Sequence, residues 1–267
     1  MQIFLMATNF STDDFLGGKL RVKQPKKGYR AGIDPVLLAA SVNAHTGDNI
    51  LDLGCGVGVA SLCLSYRISG LNTYGVEIQS DYAALANENG KLNSIDLNVI
   101  NADIAKLPDR LRQMQFDHVI ANPPYFDGRA STSSFNQGRD ISRILNTPLV
   151  DWVSIMAQRL KQKGWAHLIY RVDQFDTLFP LLIPRFGSFV LTPIVPRAER
   201  EAELMIIHMR KSGKAAFRLE SPLCLHKGLK HIEDASDYTK QVEDILRGRG
   251  ALTSWQKNKN SFTNDCV

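Results

Sequence analysis

The feature that most limits what this chain can fold into is an alternation that begins at Asn49. A short apolar run, Ile50-Leu-Asp-Leu53, reads as a buried strand; it runs into the glycine-rich turn Gly54-Cys-Gly-Val-Gly58 and then a helical stretch to about Ser69. Further strand candidates lie at 72–78, 97–103, 116–121, 164–170, 188–195 and 203–209, with helical patterns at 80–92, 147–163 and 173–186 between them. Buried strands separated by helices need crossovers, and right-handed crossovers build a mostly parallel sheet with helices on both faces. The expected fold is α/β, a Rossmann-like sheet of seven strands. The link 196–201 is too short for a helix, so the last two strands are expected to form an antiparallel pair at the sheet edge.

The glycine turn sets the class of ligand. Glycine lets the backbone turn tightly and lets a ligand approach it closely. In an open α/β sheet, ligands bind beyond the carboxyl ends of the strands, where this turn lies. A dinucleotide-binding turn spaces its glycines G-x-G-x-x-G, but here the third glycine falls at 58 and Val59 takes its place. Asp52 precedes the turn, and an acid there suits a cationic ligand rather than a pyrophosphate. S-adenosylmethionine carries an ammonium and a sulfonium and no phosphate. Glu77, at the end of the second strand, can accept from both ribose hydroxyls, and Asp103, at the end of the third, from the adenine amine. The expected cofactor set is Asp52, Gly54, Cys55, Gly56, Glu77, Ile78, Asp103, Ile104 and Asn122. No His/Cys spacing predicts a metal, and none is expected.

The fourth strand ends in Asn122-Pro-Pro-Tyr125. Two prolines fix the backbone and remove two donors, leaving carbonyls and the Asn122 amide oxygen as acceptors. Asn122 and the Pro123 carbonyl can accept both N–H groups of an exocyclic amine and turn its lone pair toward the sulfonium methyl, which supplies proximity and orientation. Tyr125 offers a face to a planar base. The catalytic set is therefore Asn122, Pro123, Pro124 and Tyr125.

Charge is uneven. Residues 1–128 carry 11 basic and 13 acidic side chains, whereas 129–267 carry 21 and 14. Against the first-half trend, 19–30 holds six basic residues and no acid. Lys19, Arg21 and Lys23 alternate with Leu20, Val22 and Gln24, which puts three cations on one face of a strand. Such a face suits a phosphate backbone or simply guards a strand edge. Phe126, Arg139 and Arg143, after the Asn-Pro-Pro-Tyr stretch, are expected to join Lys19, Arg21, Lys23 and Tyr125 at the acceptor. The six histidines show no triad or ligand spacing and receive no role; Trp152 and Trp165 read as core. The apolar start, 1–7, lacks a basic lead and a cleavage pattern, and four scattered cysteines suit a reducing cytoplasm.

Asp52-Leu-Gly-Cys-Gly-Val-Gly58 together with Asn122-Pro-Pro-Tyr125 resembles the class I S-adenosylmethionine-dependent N-methyltransferases. Gly32-Ile-Asp-Pro-Val-Leu-Leu38 and Asp237-Tyr-Thr239 narrow the resemblance to the valine-tRNA adenine-N6 methyltransferases and their small-methyltransferase-domain relatives. The resemblance implies S-adenosylmethionine as cofactor, a tRNA partner, and methylation of an adenine amine beside the anticodon. It places Asp34 over the methionine end of the cofactor. The same tetrad serves enzymes that methylate a glutamine amide in release factors and others that methylate guanine amines, and a non-catalytic RNA-binding module is a further alternative. The expected organisation is a basic strand and lid helix over 1–45, with Asp34 capping the helix, a methyltransferase domain over 46–251 and a frayed polar tail over 252–267. The protein is expected to act as a monomer away from membranes.

Overall fold

The computed structural model of the chain describes residues 10–124, 147–228, 237–253 and 255. The alternation appears as β3 (Asn49–Leu53), β4 (Asn72–Glu77), β5 (Leu97–Asn101), β6 (Phe116–Ala121), β7 (Leu160–Arg171), β8 (Phe186–Val195) and β9 (Leu204–Lys211). A hairpin of β1 (Phe10–Phe15) and β2 (Leu20–Pro25) precedes them, and two short strands, β10 (Arg218–Leu219) and β11 (Leu223–Cys224), follow. The main sheet runs β10-β8-β9-β7-β6-β3-β4-β5, with β11 also on β8. From β5 through β7 all neighbours are parallel, and β9 is antiparallel to both β7 and β8. The expected antiparallel pair is present, with the reversed strand β9 lying between β7 and β8. Because the direction reverses twice, the carboxyl ends of β3, β6, β7 and β8 share one edge.

The helices are α1 (Asp34–Ser41), α2 (Val59–Arg67), α3 (Ser80–Leu92), α4 (Asp109–Gln113), α5 (Leu149–Arg159), α6 (Phe175–Leu182) and α7 (Lys240–Leu246). Among the described residues no helix is long and apolar enough to cross a membrane. Strand residues alternate between faces. Ile50 and Ile120 join Leu37, Leu62 and Ile245 of α1, α2 and α7 in one cluster. Leu51 and Val119 join Trp152, Met156 and Leu178 in the other. Helix α1 begins at Asp34 with Ile33 as its cap, so Asp34 is a first-turn acid and not the cap. Residues Pro35–Ser41 are all buried, so α1 is packed on the core.

Ahead of the basic strand lies β1, which pairs with β2 from Phe10↔Pro25 to Phe15↔Leu20. Asn89 on α3 and Asn93, which caps the C-terminus of that helix, hold β2 to the body. Asn93 Oδ1 accepts from Arg21 N at 2.9 Å and its Nδ2 donates to Arg21 O at 2.8 Å. Asn89 Oδ1 accepts from Lys23 N at 2.8 Å, and its Nδ2 donates to Lys23 O and Val57 O, each at 3.0 Å. The tail is docked where it begins. Leu252 N donates to Ala40 O at 2.8 Å, and Trp255, 3% exposed, stacks on His208 and donates Nε1 to Ser41 O at 2.9 Å.

Three histidines without any sequence signal meet in the sheet. His118, His167 and His208 stand on β6, β7 and β9, joined by ring-nitrogen contacts of 2.9 and 2.7 Å, with Asp48 Oδ2 3.4 Å from His118 Nε2. Burial holds all three below the usual histidine range. They form a neutral hydrogen-bonded row, and among the described residues no group of three or more His, Cys, Asp or Glu is arranged to hold a metal.

Asn89 is fully buried, so Asn89→Ala would strand a donor and two acceptors of the Lys23 and Val57 backbone. Urea unfolding should show a loss of about 2 kcal/mol or more; a change within a few tenths would mean the clamp is dispensable.

Candidate active site

Strand β3 delivers the chain to the shared carboxyl edge and the turn then reverses it into α2. Gly54 and Gly56 have φ of +64° and +56°. A Cβ on Gly54 would lie 2.4 Å from Trp152 Cη2, so packing also demands glycine there, and the indole the sequence assigned to the core is the back wall of the turn. A Cβ on Gly56 would meet nothing within 4 Å. That open space belongs to a cleft floored by Asp52, Gly54, Cys55, Gly56 and Val57, walled by Pro35 of α1, and closed by Tyr29 and Asn122.

Two buried carboxyls support the floor. Asp52 is 2% exposed and accepts from Ser61 Oγ at 2.7 Å; burial pushes its pKa up to about 7 despite that bond. Glu77 accepts from Gly56 N at 2.9 Å and Gln79 N at 2.8 Å, tying the end of β4 to the middle of the turn. Burial raises its pKa as well. The Cys55 thiol is wedged against Gly75, and burial holds it protonated, unsuited to act as a nucleophile. Among the described residues lining the cleft none is Lys or Arg. Acids without a basic partner suit a cationic ligand and repel a phosphate.

The other sequence-derived residues fall in three groups. Glu77 ends β4, and Ile78, Asp103 and Ile104 follow β4 and β5, all outside the cleft lining. Asn101 Nδ2 clasps the carbonyls of Glu77 and Ile78 at 2.9 Å. Asp103 Oδ1 accepts from Ala105 N at 2.9 Å, capping a short 3₁₀ turn, and Ile104 is buried in the core. Asp34 lies close enough to Tyr29 to act on its charge. In the hairpin, Lys23 pairs with Glu88 at 3.0 Å, Lys19 lies over the Tyr66 ring and Arg21 is exposed. Pro123 is buried and Asn122 and Pro124 half-buried, while Tyr125, Phe126, Arg139 and Arg143 lie outside the described residues. Tyr29 was not anticipated: it sits in a basic loop with no motif around it, and only the fold brings it to Asn122.

A fold with this strand order, and a cleft of this composition at its carboxyl edge, define the class I S-adenosylmethionine-dependent methyltransferases. A family model for the methyltransferase small domain matches residues 31–138. A tRNA1(Val) (adenine(37)-N6)-methyltransferase of Haemophilus influenzae is 30% identical over 163 residues, 60% of this chain and 69% of that protein. A protein of the same name from a Shewanella species is 34% identical over 152 residues, 55% of this chain and 62% of that protein. Among solved structures, a predicted O-methyltransferase from Agrobacterium tumefaciens superposes with a TM-score of 0.65 at 24% identity, covering 82% of this chain and 97% of that one. A T. thermophilus 16S rRNA N2 methyltransferase in complex with AdoMet and guanosine superposes with a TM-score of 0.53 at 20% identity, covering 76% and 50%. The chain belongs to the family of these Haemophilus and Shewanella methyltransferases, and it is an S-adenosylmethionine-dependent methyltransferase.

The raised Asp52 pKa has a stability consequence of definite sign. Between its ordinary value near 3.8 and its folded value of about 7, the unfolded chain releases the Asp52 proton and the folded chain keeps it, so this residue's contribution to stability falls as pH rises through that window. Asp52→Asn removes the effect and can still accept from Ser61. The stability gained over the unsubstituted protein in urea unfolding should therefore be larger at pH 8 than at pH 5; an equal gain at both would contradict the assignment.

Proposed function

We propose that this methyltransferase moves the methyl group of S-adenosylmethionine to the exocyclic N6 amine of an adenine in tRNA. The observation that carries the reading is that Asn122, followed by two prolines, closes the cleft whose floor is the Asp52–Gly58 turn. The acceptor amide and the cationic-ligand floor thus face one space. The relatives named as tRNA adenine-N6 methyltransferases and the excess of basic over acidic residues in 129–267 support RNA as the acceptor.

The cofactor supplies an electrophilic methyl group on a sulfonium. In this reading Asp52 faces its positive methionine end, the open space at Gly56 admits it against the backbone, and Glu77 and Asp103 take the ribose and the adenine. Asn122 Oδ1 and the Pro123 carbonyl accept the two N–H groups of the target amine and aim its lone pair. Bound there, the cofactor would supply the methyl group to the amine that Asn122 and Pro123 hold, and the extra proton on that amine would leave to water, so the chain need supply no strong base. Tyr125 supplies a stacking face for the base.

Incubation with methyl-labelled S-adenosylmethionine and tRNA from cells lacking the gene should place label in N6-methyladenosine. Label in a guanine amine or in a protein glutamine instead would overturn the substrate assignment. Asn122→Ala should cut turnover about 100-fold or more, the scale of a lost hydrogen-bonding group at a reacting centre, while calorimetry shows cofactor affinity kept within a few-fold. Because Asp52 holds a proton below about pH 7, cofactor affinity should weaken on acidification, by up to about tenfold per pH unit, and the Asp52→Asn protein should show a flat profile over the same range.

A further inference from the structure

We infer that Tyr29 is a positioning residue for Asn122: its phenol oxygen accepts from the Asn122 side-chain amide and thereby fixes which end of that amide faces the acceptor. This rests on the reading of Asn122 given above and deepens it.

Tyr29 lies in the connection between β2 and α1, and that connection is laid against α3 at one point. Tyr82 Oη donates to Tyr29 O at 3.0 Å. Gly28 has φ of +100°, and a Cβ there would lie 2.8 Å from the same Tyr82 Oη. The backbone carrying Tyr29 is therefore held from below by a residue on a core helix. Tyr29 and Asn122 line the same cleft, and the Asn122 side chain acts on the Tyr29 phenol, lowering its pKa against the rise caused by burial. The residue is 58% exposed and contributes to the cleft lining; burial first, then Asp34, pushes the phenol up to about 12. Tyr29 is thus a neutral phenol across any working pH, with one O–H to give and an oxygen that accepts.

An asparagine amide has two ends of opposite character, an accepting Oδ1 and a donating Nδ2. A target amine bearing two N–H groups needs Oδ1, and a flipped amide would set N–H against N–H. Asp34, whose negative charge acts on the phenol, favours an O–H turned toward it, which leaves the phenol lone pair for Asn122 Nδ2. With Nδ2 engaged there, Oδ1 is the end left for the acceptor. The residue after β6 supplies the chemistry and the loop before α1 sets its orientation.

The test is a double-substitution cycle of Tyr29→Phe and Asn122→Ala, read by single-turnover methyl transfer to bulk tRNA, calorimetry with S-adenosylmethionine, and thermal unfolding. Tyr29→Phe keeps the ring and removes only the hydroxyl. It should slow transfer about tenfold, with cofactor affinity and melting temperature unchanged, because misorientation acts on the chemical step and not on ground-state binding. In the Asn122→Ala background the further loss should be less than about twofold, since groups that act as one unit are not additive. Wild-type transfer by Tyr29→Phe, a full independent loss in the Asn122→Ala background, or a parallel loss of cofactor affinity would each overturn the inference. Normal transfer by Asn122→Ala alone would show that the reading of Asn122 had failed, and the inference with it.

Discussion

Two carboxyls buried at adjacent strand ends hold this site together. Asp52 sits near the end of β3 and Glu77 at the end of β4, and the Glu77 bond to Gly56 N makes the floor of the cleft continuous with the sheet. Neither has a basic partner in the cleft lining. Burial without a counter-charge is why both pKa values rise, and it leaves the cleft unfavourable for anions before any ligand arrives. A buried carboxyl without a counter-charge costs the folded protein stability once it ionises.

The rest of the molecule serves to keep that turn rigid. Trp152 backs Gly54 from the α5 side of the sheet, and Ser61, on α2, holds the Asp52 carboxyl. From the opposite direction Asn89 reaches from α3 to both Val57 and Lys23, so one side chain joins the turn to the hairpin. A rigid scaffold carrying a small number of oriented polar groups is what transfer by positioning requires, since none of the described residues lining the cleft is poised to form a covalent intermediate.

The strands were legible because each is a short apolar run bounded by turn residues, and all seven lie close to where the pattern puts them. The position of β9 was not: the length of the 196–201 link dictates an antiparallel pair but says nothing about which strand lies next to β7. Asp52, Gly54, Gly56 and Asn122 could be read because each lies inside a local motif. Asp103 shows the opposite case, where a plain turn-capping bond accounts for one oxygen of a residue singled out as a ligand. Tyr29 and the three histidines left no trace in the sequence. The histidines depend on neighbours 49 and 41 positions away, brought together only by sheet register. Tyr29 depends on a residue beyond β3, β4, β5 and β6, reached only because its loop lies over the cleft.

The docking of Trp255 bears on how the molecule comes into being. Its bond to Ser41 spans 214 positions, and its ring covers His208 on β9. Until that indole has been synthesised and has found its place, the Ser41 carbonyl at the end of α1 lacks its indole donor and the last imidazole of the row its stacking partner. Closing so wide a span is slow relative to local pairing. The link that Trp255 makes between α1 and β9 is therefore among the last to close as the chain is made, and a chain halted before position 255 would lack it altogether.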